Sequence, residues 1–541
     1  MGAVSSDRPP LAVAALLTLS AITFAVVRPT NFGGSDEWLH FSLVSRGIVD
    51  VPWANRPLNL IWHAPAWAFF PDRLLGFLVF HALWIGLGGV LVYLATRRLL
   101  RGSTPLAFLS GVFTIVWAPS DATRLCTVQM IIYSGCTFGV VLAVWLAVEA
   151  WLRRRVVLSA IVLAASAIAA SAVAILSHEA ALAPLALVPL LFLLAGGRRE
   201  PRRLAAWTLA VCVVLGAAGL RAALPLWTDP GRVSYQSALV GQLGPARLAS
   251  GALRQLRLHV APLVRPIWER PAPVVPIALA TFVVAVLATS GRRRREGEEG
   301  EGATPALALA SAAGVGCLWA LLAYLPFVPT THGAFRTEFL AAPGVGLLLA
   351  ALVVAVASLV PNKLRLPVLL LLGGWIVFQG TQRTVSFQGR WDASSAFPGQ
   401  SRQLRELVAI APDLAPGTLV VLVPRGGTWR FDLTFRHAVR YLYDGRALGH
   451  VMQADPLLYE TRFEAAGIRS SPDPVVRGPW QEQPTTFSYD SVLALREDVT
   501  GRLQLLETWP TELPALPPGA SYAPRARLRS GRSTRLALLG S

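Results

Sequence analysis

Eleven apolar runs, at residues 9–28, 74–96, 105–120, 127–150, 156–176, 180–196, 204–224, 272–290, 304–328, 339–360 and 364–381, constrain this chain more than anything else in it. Each approaches the roughly 20 helical residues needed to cross a hydrocarbon core about 30 Å thick. Inside a bilayer no water is present to pair with backbone amides and carbonyls, so runs of this kind must be helices. The composition agrees: of 541 residues, 54 % are hydrophobic and 15 % charged, as expected of a polytopic membrane protein. The first run reads as a retained helix rather than a signal peptide. A single arginine, Arg8, precedes it, and no small-x-small cleavage site occurs before Asn31.

Basic residues set the expected orientation, because short cytoplasmic connections accumulate Lys and Arg. Alternate connections read RRLLRG (97–102), WLRRR (151–155), GGRREPRR (196–203), GRRRREGEEGEG (291–302) and PNKLR (361–365). The expected topology is therefore N-terminus inside and C-terminus outside, with about eleven transmembrane helices in an inner (plasma) membrane. Connections 29–73, 120–126, 177–179, 225–271 and 326–338 then fall on the extracytoplasmic side. The formal charge of +18 follows from these orientation signals and their contact with anionic lipid heads, so nucleic acid is not an expected partner and membrane lipids are. Cysteines 126, 136, 212 and 317 lie in or at the ends of apolar runs and suggest neither a disulfide framework nor a metal site.

The chain divides near residue 385. Residues 1–385 form the membrane domain, and 386–541 read as a small extracytoplasmic α+β domain with a loose basic tail. Its expected strands are 418–423, 491–497 and 502–508, and its expected helices are 402–410 and 435–445.

Charges at the centre of a bilayer are costly, so polar residues level with the ends of apolar runs are candidates for function. Five such clusters occur, all in the outer connections: GSDEWLH (34–40), NRPLNLIWH (55–63), PSDATR (119–124), LSHEAAL (176–182) and THGAFRTEFLAAPGVG (331–346). Their common depth allows one composite pocket. It would contain Asp36, Glu37, Arg56, Asp121, His178, Glu179, His332, Arg336 and Glu338. Competing readings exist for several of them. Asp36 and Asp121 can be helix caps, and Arg56 can be a snorkelling interfacial residue. Trp53, Trp62, Trp67, Phe69 and Phe70 read by default as an interfacial aromatic belt, with His63 beside them as an interfacial residue.

The ordered set resembles the GT-C membrane glycosyltransferases over roughly residues 10–380. It is similar in particular to the branch of the protein O-mannosyltransferases and their tetratricopeptide-bearing relatives. The matching features are the carboxylate after the first helix, Arg56-Pro57-Leu58, the acidic turn at 119–121, the Ser-basic-Glu of 177–179 and the segment 336–346 that opens a late helix. The chain departs from the pattern at His178, where the relatives carry lysine, at FRTEFLAAP, and in having no helical repeat array. The resemblance implies a donor sugar on a polyprenyl phosphate, an acidic base in the first outer loop, inversion at the anomeric carbon, and a glycan, lipid or protein acceptor.

On that reading Asp36 takes the acceptor proton, with Glu37 as its neighbour. Arg336, then Arg56 and His332, meet the leaving phosphate, which guanidinium groups pair bidentately. No cofactor is expected, and the spacing of His, Asp and Glu gives no support to a divalent cation. Two other classes fit parts of the pattern. An O-antigen ligase or polymerase would use the long 225–271 loop with Arg232, Arg254, Arg257, His259 and Arg265. A transporter would share the helices but is expected to show repeated halves, and the sequence has no internal repeat, whereas a noncatalytic scaffold of related fold is kept in view by the His178 substitution.

Overall fold

A computed structural model describes residues 9–24, 36–49, 56–100, 104–117, 122–153, 156–195, 197, 200–228, 244–265, 271–290, 306–328, 339–454, 459–472, 483–531, 535 and 539. Seventeen α-helices occur among them. They are α1 (Pro9–Phe24), α2 (Glu37–Val44), α3 (Ala64–Phe69), α4 (Leu74–Leu99), α5 (Thr104–Val116), α6 (Ile131–Leu152), α7 (Val157–Ser177), α8 (Leu182–Leu185), α9 (Val188–Leu194), α10 (Pro201–Thr228), α11 (Pro245–Val264), α12 (Val274–Ser290), α13 (Ala306–Tyr324), α14 (Ala342–Ser358), α15 (Asn362–Ala393), α16 (Phe397–Ile410) and α17 (Asp432–Leu442).

Each expected apolar run contains helix among its described residues, but 180–196 is broken into a 3-10 turn (Glu179–Ala181) and the short helices α8 and α9. Among the described residues, six helical stretches are long and apolar enough to cross a membrane: Leu74–Leu99, Ile131–Leu152, Val157–Ser177, Pro201–Arg221, Ala306–Tyr324 and Asn362–Ile410. Five shorter apolar helices accompany them, among them Thr104–Val116. That helix, α5, is buried from Leu106 to Val116 and forms the middle of the bundle. A helix apolar on every side, as this one is, belongs in an interior. Close crossings use small residues, as membrane helices generally do. At the contact of α13 with α14, a Cβ on Gly316 would stand 2.6 Å from the Gly344 carbonyl oxygen, and the converse distance is also 2.6 Å.

Three of the basic connections meet at one end of the bundle. Glu149 on α6 accepts Arg98 at 2.8 Å and Arg153 at 3.0 Å, while Arg203 donates to the Trp151 carbonyl at 3.1 Å. The acidic first loop lies at the opposite end.

Beyond the bundle, α15 runs past residue 385 to Ala393, and a turn at Ser394–Ala396 leads into α16. Nine strands follow: β1 (Asp413–Leu414), β2 (Thr418–Val423), β3 (Ala447–Val451), β4 (Tyr459–Glu464), β5 (Gly467–Pro472), β6 (Thr485–Phe487), β7 (Val492–Glu497), β8 (Leu503–Leu505) and β9 (Leu528–Arg529). The main sheet has the order β3-β2-β7-β8, parallel between β2 and both neighbours and antiparallel at β8. TLVVLV is buried throughout, which is why it reads as a continuous apolar run rather than an alternating one. α17 connects β2 to β3. A second sheet, β4-β5-β6, is antiparallel.

The basic tail is not loose where it is described. β9 pairs with β1, Arg527 donates to Thr418 Oγ1 at 3.1 Å, and Leu539 is buried in the core. Short strands and one or two anchoring side chains hold it there, and charge composition alone does not reveal such pairings.

The C-terminal unit is not a separate appendage. Trp38, Phe41, Phe77 and Ile131 from the membrane side share one apolar cluster with Phe397, Leu404, Phe435 and Tyr441. Every residue of α2 is buried, enclosed between the bundle and α17. Polar contacts cross the same seam: Trp38 Nε1 donates to Gln400 Oε1 at 2.9 Å, and Ser42 Oγ lies 3.1 Å from His437 Nδ1.

Candidate functional site

The acidic pair splits into two environments. Asp36 occupies the N-cap position of α2, yet its side chain makes no capping hydrogen bond. The cap reading is thereby set aside. Its Oδ2 instead accepts a hydrogen bond from Gln129 Nε2 at 2.7 Å, and Asp36 remains partly exposed. Glu37, one residue on, is fully buried. Only the first of the two carboxylates can meet a substrate without rearrangement of α2.

His40 stands one helical turn after Asp36 and is buried against the ring of His63, with centroids 5.4 Å apart. Burial lowers its pKa to about 4, opposed by the nearby Asp36 charge, so it is a neutral imidazole. His63 is likewise interior, its Nε2 2.7 Å from the Val128 carbonyl. The interfacial reading of His63 is corrected accordingly. Trp62 is corrected too: its ring covers Gly135, whose Cβ would stand 2.3 Å away, and its Nε1 donates to Ser177 Oγ at 3.0 Å. A tryptophan that fills a glycine notch and has a hydrogen-bond partner is core, not belt. Phe69, 73 % exposed and stacked on Phe80, does keep an exposed position. Trp53 lies outside the described residues.

The turn after Arg56 is stitched to the end of α7. Leu58 N donates to the Leu176 carbonyl at 3.1 Å, and Asn59 Nδ2 to the Ser177 carbonyl at 3.3 Å. This brings Arg56 to Glu179 in a bidentate pair, with Nε to Oε2 at 2.7 Å and Nη2 to Oε1 at 2.6 Å. The two side chains are 19 % and 32 % exposed, so Arg56 is a partner in a half-enclosed ion pair and not a snorkelling residue. Burial would raise the Glu179 pKa, but Arg56 outweighs it and holds the carboxyl well below the usual range.

His178 sits beside this pair among the rings of Tyr133, Phe327 and Phe339. Burial first, and the Arg56 charge second, lower its pKa to about 3. Its Nδ1 accepts from the Ala180 amide at 3.3 Å, which places the proton of the neutral ring on Nε2. His178 can therefore donate a hydrogen bond, but it does not carry a charge.

Both halves meet around the start of α6. Gln129 holds Asp36, and Tyr133, four residues on, contacts His178. Thr137 then donates to the Phe339 carbonyl at 3.0 Å. Phe327 and Phe339, which flank the segment bearing His332, Arg336 and Glu338, both pack on His178. Those three residues and Asp121 lie outside the described residues. Arg124, in the same cluster as Asp121, is structural: its guanidinium donates to the carbonyls of Thr114 (2.7 Å) and Trp117 (3.0 Å) at the end of α5.

Gln129, Tyr133 and the C-terminal contacts Gln400 and His437 were not singled out by the sequence. Gln129 lies in an apolar run, CTVQMIIYSG, where an isolated amide was the one available signal. All four cysteines are free. Among the described residues no three His, Cys, Asp or Glu side chains converge as a metal site.

Replacing Glu179 with Gln leaves the Arg56 guanidinium without its carboxylate. Exposed pairs are worth about 0–1 kcal/mol and breaking buried ones costs about 3–5 kcal/mol, so this half-enclosed pair is expected to lose about 2 kcal/mol, read as a lower apparent Tm in detergent. A depressed carboxyl pKa stabilises the fold above the ordinary value near 4.3. The difference between wild type and variant is therefore expected to be constant from pH 8 to about 5 and to shrink as the pH falls through the depressed pKa.

Fold and site together define a multi-helix membrane protein with a cluster of polar side chains at one end, where an α/β unit packs against it. No family model and no curated protein matches the chain. Among solved structures, the apo oligosaccharyltransferase of Archaeoglobus fulgidus is similar at 15 % identity and a TM-score of 0.47, over 84 % of this chain and 65 % of that one. The same organism's AglB, in complex with an inhibitory peptide and a dolichol-phosphate, gives 15 %, 0.40, 82 % and 64 %. ArnT from Cupriavidus metallidurans in the apo state gives 15 %, 0.36, 81 % and 89 %. The chain thus spans slightly under two thirds of the archaeal enzyme's length.

Proposed function

We propose that this protein is a GT-C membrane glycosyltransferase that moves a sugar from a polyprenyl-phosphate carrier to an acceptor hydroxyl or amine, with Asp36 as general base. The observation that carries this reading is the assembly around the start of α6. A partly exposed carboxylate oriented by Gln129 is joined, through Tyr133, to the Arg56–Glu179 pair and His178. Eleven spans with the N-terminus inside would put this end of the bundle on the extracytoplasmic face, since the basic connections gather at the other end.

In the reaction the acceptor oxygen or nitrogen attacks the anomeric carbon as its proton passes to Asp36. The bond to the carrier phosphate breaks on the opposite side of the sugar, inverting the anomeric centre. The departing phosphodiester needs no proton, but it needs fixed cations and donors. Arg56 is already paired with Glu179, so its net contribution is small, and His178 offers a neutral N–H. That leaves Arg336 as the leading cation for the phosphate, with His332 and Glu338 on the same segment and Asp121 and Glu37 as supporting residues. No metal or other cofactor is included.

The test is transfer of a labelled sugar from polyprenyl phosphate by the protein in membranes. Arg336→Ala is expected to raise the donor concentration needed for half-maximal rate at least tenfold, the order expected when a charge-assisted phosphate contact is lost, with the acceptor requirement little changed. An unaltered donor requirement would remove Arg336 from the phosphate site.

The ligase-like alternative drew on the 225–271 loop. Most of its described part is helix α11, where His259 is buried and its Nδ1 faces the Tyr324 hydroxyl. That packing role gives the alternative no added support.

A further inference from the structure

Helix α11 has a face that none of the described residues covers. At about 100° per residue, Gly251, Leu258, His259 and Pro262 fall on one side, where Gly251, His259 and Pro262 are buried and Leu258 is half-buried. Leu253, Val260 and Val264 form a stripe on the opposite side and are 50 %, 43 % and 71 % exposed. Arg257 borders that stripe and Arg254 lies further round on the same flank, both exposed.

The protein-facing side is fixed to the Asp36 end of the bundle. A Cβ on Gly251 would stand 2.8 Å from the Val328 carbonyl oxygen. Trp117 Nε1, just past the end of α5, donates to the His259 carbonyl at 3.2 Å, and the Tyr324 hydroxyl at the end of α13 bonds the His259 ring. The helix thus packs against the ends of α5 and α13. It contains no Asp or Glu, and Arg254 and Arg257 form no ion pair among the described residues.

We propose that α11 rests in the surface of the bilayer, with Leu253, Val260 and Val264 in the acyl boundary and Arg254 and Arg257 on the headgroups of anionic phospholipids. Two observations select this occupant. The helix packs on Tyr324 of α13, whose neighbours Leu321 and Leu325 are apolar and 54 % and 59 % exposed, as the stripe itself is. The flanking arginines supply the charge complement that makes amphipathic helices prefer anionic lipid. The contact is independent of the sugar-transfer reading.

The test uses the whole protein in nanodiscs of equal parts phosphatidylcholine and phosphatidylglycerol. Exposed Cys212 and Cys317 are replaced by Ala, and nitroxides are placed singly at Leu253→Cys, Val260→Cys and, as an aqueous control, Val499→Cys on the C-terminal unit. Labels at 253 and 260 are expected to meet oxygen more readily than a water-soluble nickel chelate, and the label at 499 the reverse. Labels at 253 and 260 that behave like 499 would overturn the proposal, as would dipolar broadening that shows a second copy covering the stripe. Arg254→Gln with Arg257→Gln is expected to reduce phosphatidylglycerol retained by the purified protein roughly fivefold per arginine. Unchanged retention, or displacement of the lipid by inorganic phosphate, would also overturn it.

Discussion

Asp36→Asn is expected to reduce sugar transfer by about 10² to 10⁴, the range a positioned general base contributes, while leaving the fold intact. The substitution changes no volume, and an Asn Oδ1 can still accept from Gln129. Nothing else in the structure depends on the Asp36 charge as a cap, because the side chain makes no bond to the first turn of α2. Loss of transfer together with an unchanged apparent Tm is therefore the signature. Membranes that contain the variant and retain full activity would end the assignment. Glu37→Gln should behave differently: that carboxyl is fully enclosed, so its loss is expected to show first in stability.

The largest stability effect is expected two residues from Asp36. Trp38→Ala should cost about 3–5 kcal/mol, the usual range for truncating a buried aromatic residue. Trp38 has no exposed surface, its ring lies 6.2 Å from Tyr441 and 6.3 Å from Phe397, and its N–H is bonded to Gln400. The cavity would open at the seam between bundle and C-terminal unit, where neither side can collapse alone. Trp38→Phe separates the contributions. It keeps most of the packing and loses one buried hydrogen bond, about 1 kcal/mol. Apparent Tm of the two variants in detergent reads the difference, and equal effects would show that packing at this seam contributes little.

Much of the helical framework was legible because the bilayer enforces it: length and apolarity specify each run with little help from neighbours. The strands at 418–423 and 492–497 were legible for a related reason, since central parallel strands are apolar on both faces. β3 through β6 were missed. GHV, TRF and IRSS mix polar and apolar residues, and their pairing partners lie up to 29 residues away. At the site, charge and depth were enough to nominate Arg56 and Glu179, which the structure joins directly. They could not nominate Gln129, whose importance comes only from the approach of α2. They also could not distinguish Trp62 from an aromatic belt, because the glycine notch that receives it lies on another helix.

The bond between Trp38 and Gln400 links residues 362 apart in sequence. During synthesis the first loop emerges long before its partner exists, and contacts of such separation form late. The helix beside Asp36 can reach its final seat only after the last third of the chain has been made and delivered to the same side of the membrane. A truncated or stalled chain would thus carry the acidic pair and most of the bundle without the wall that fixes them. Competence for chemistry is in this way tied to completion of the polypeptide.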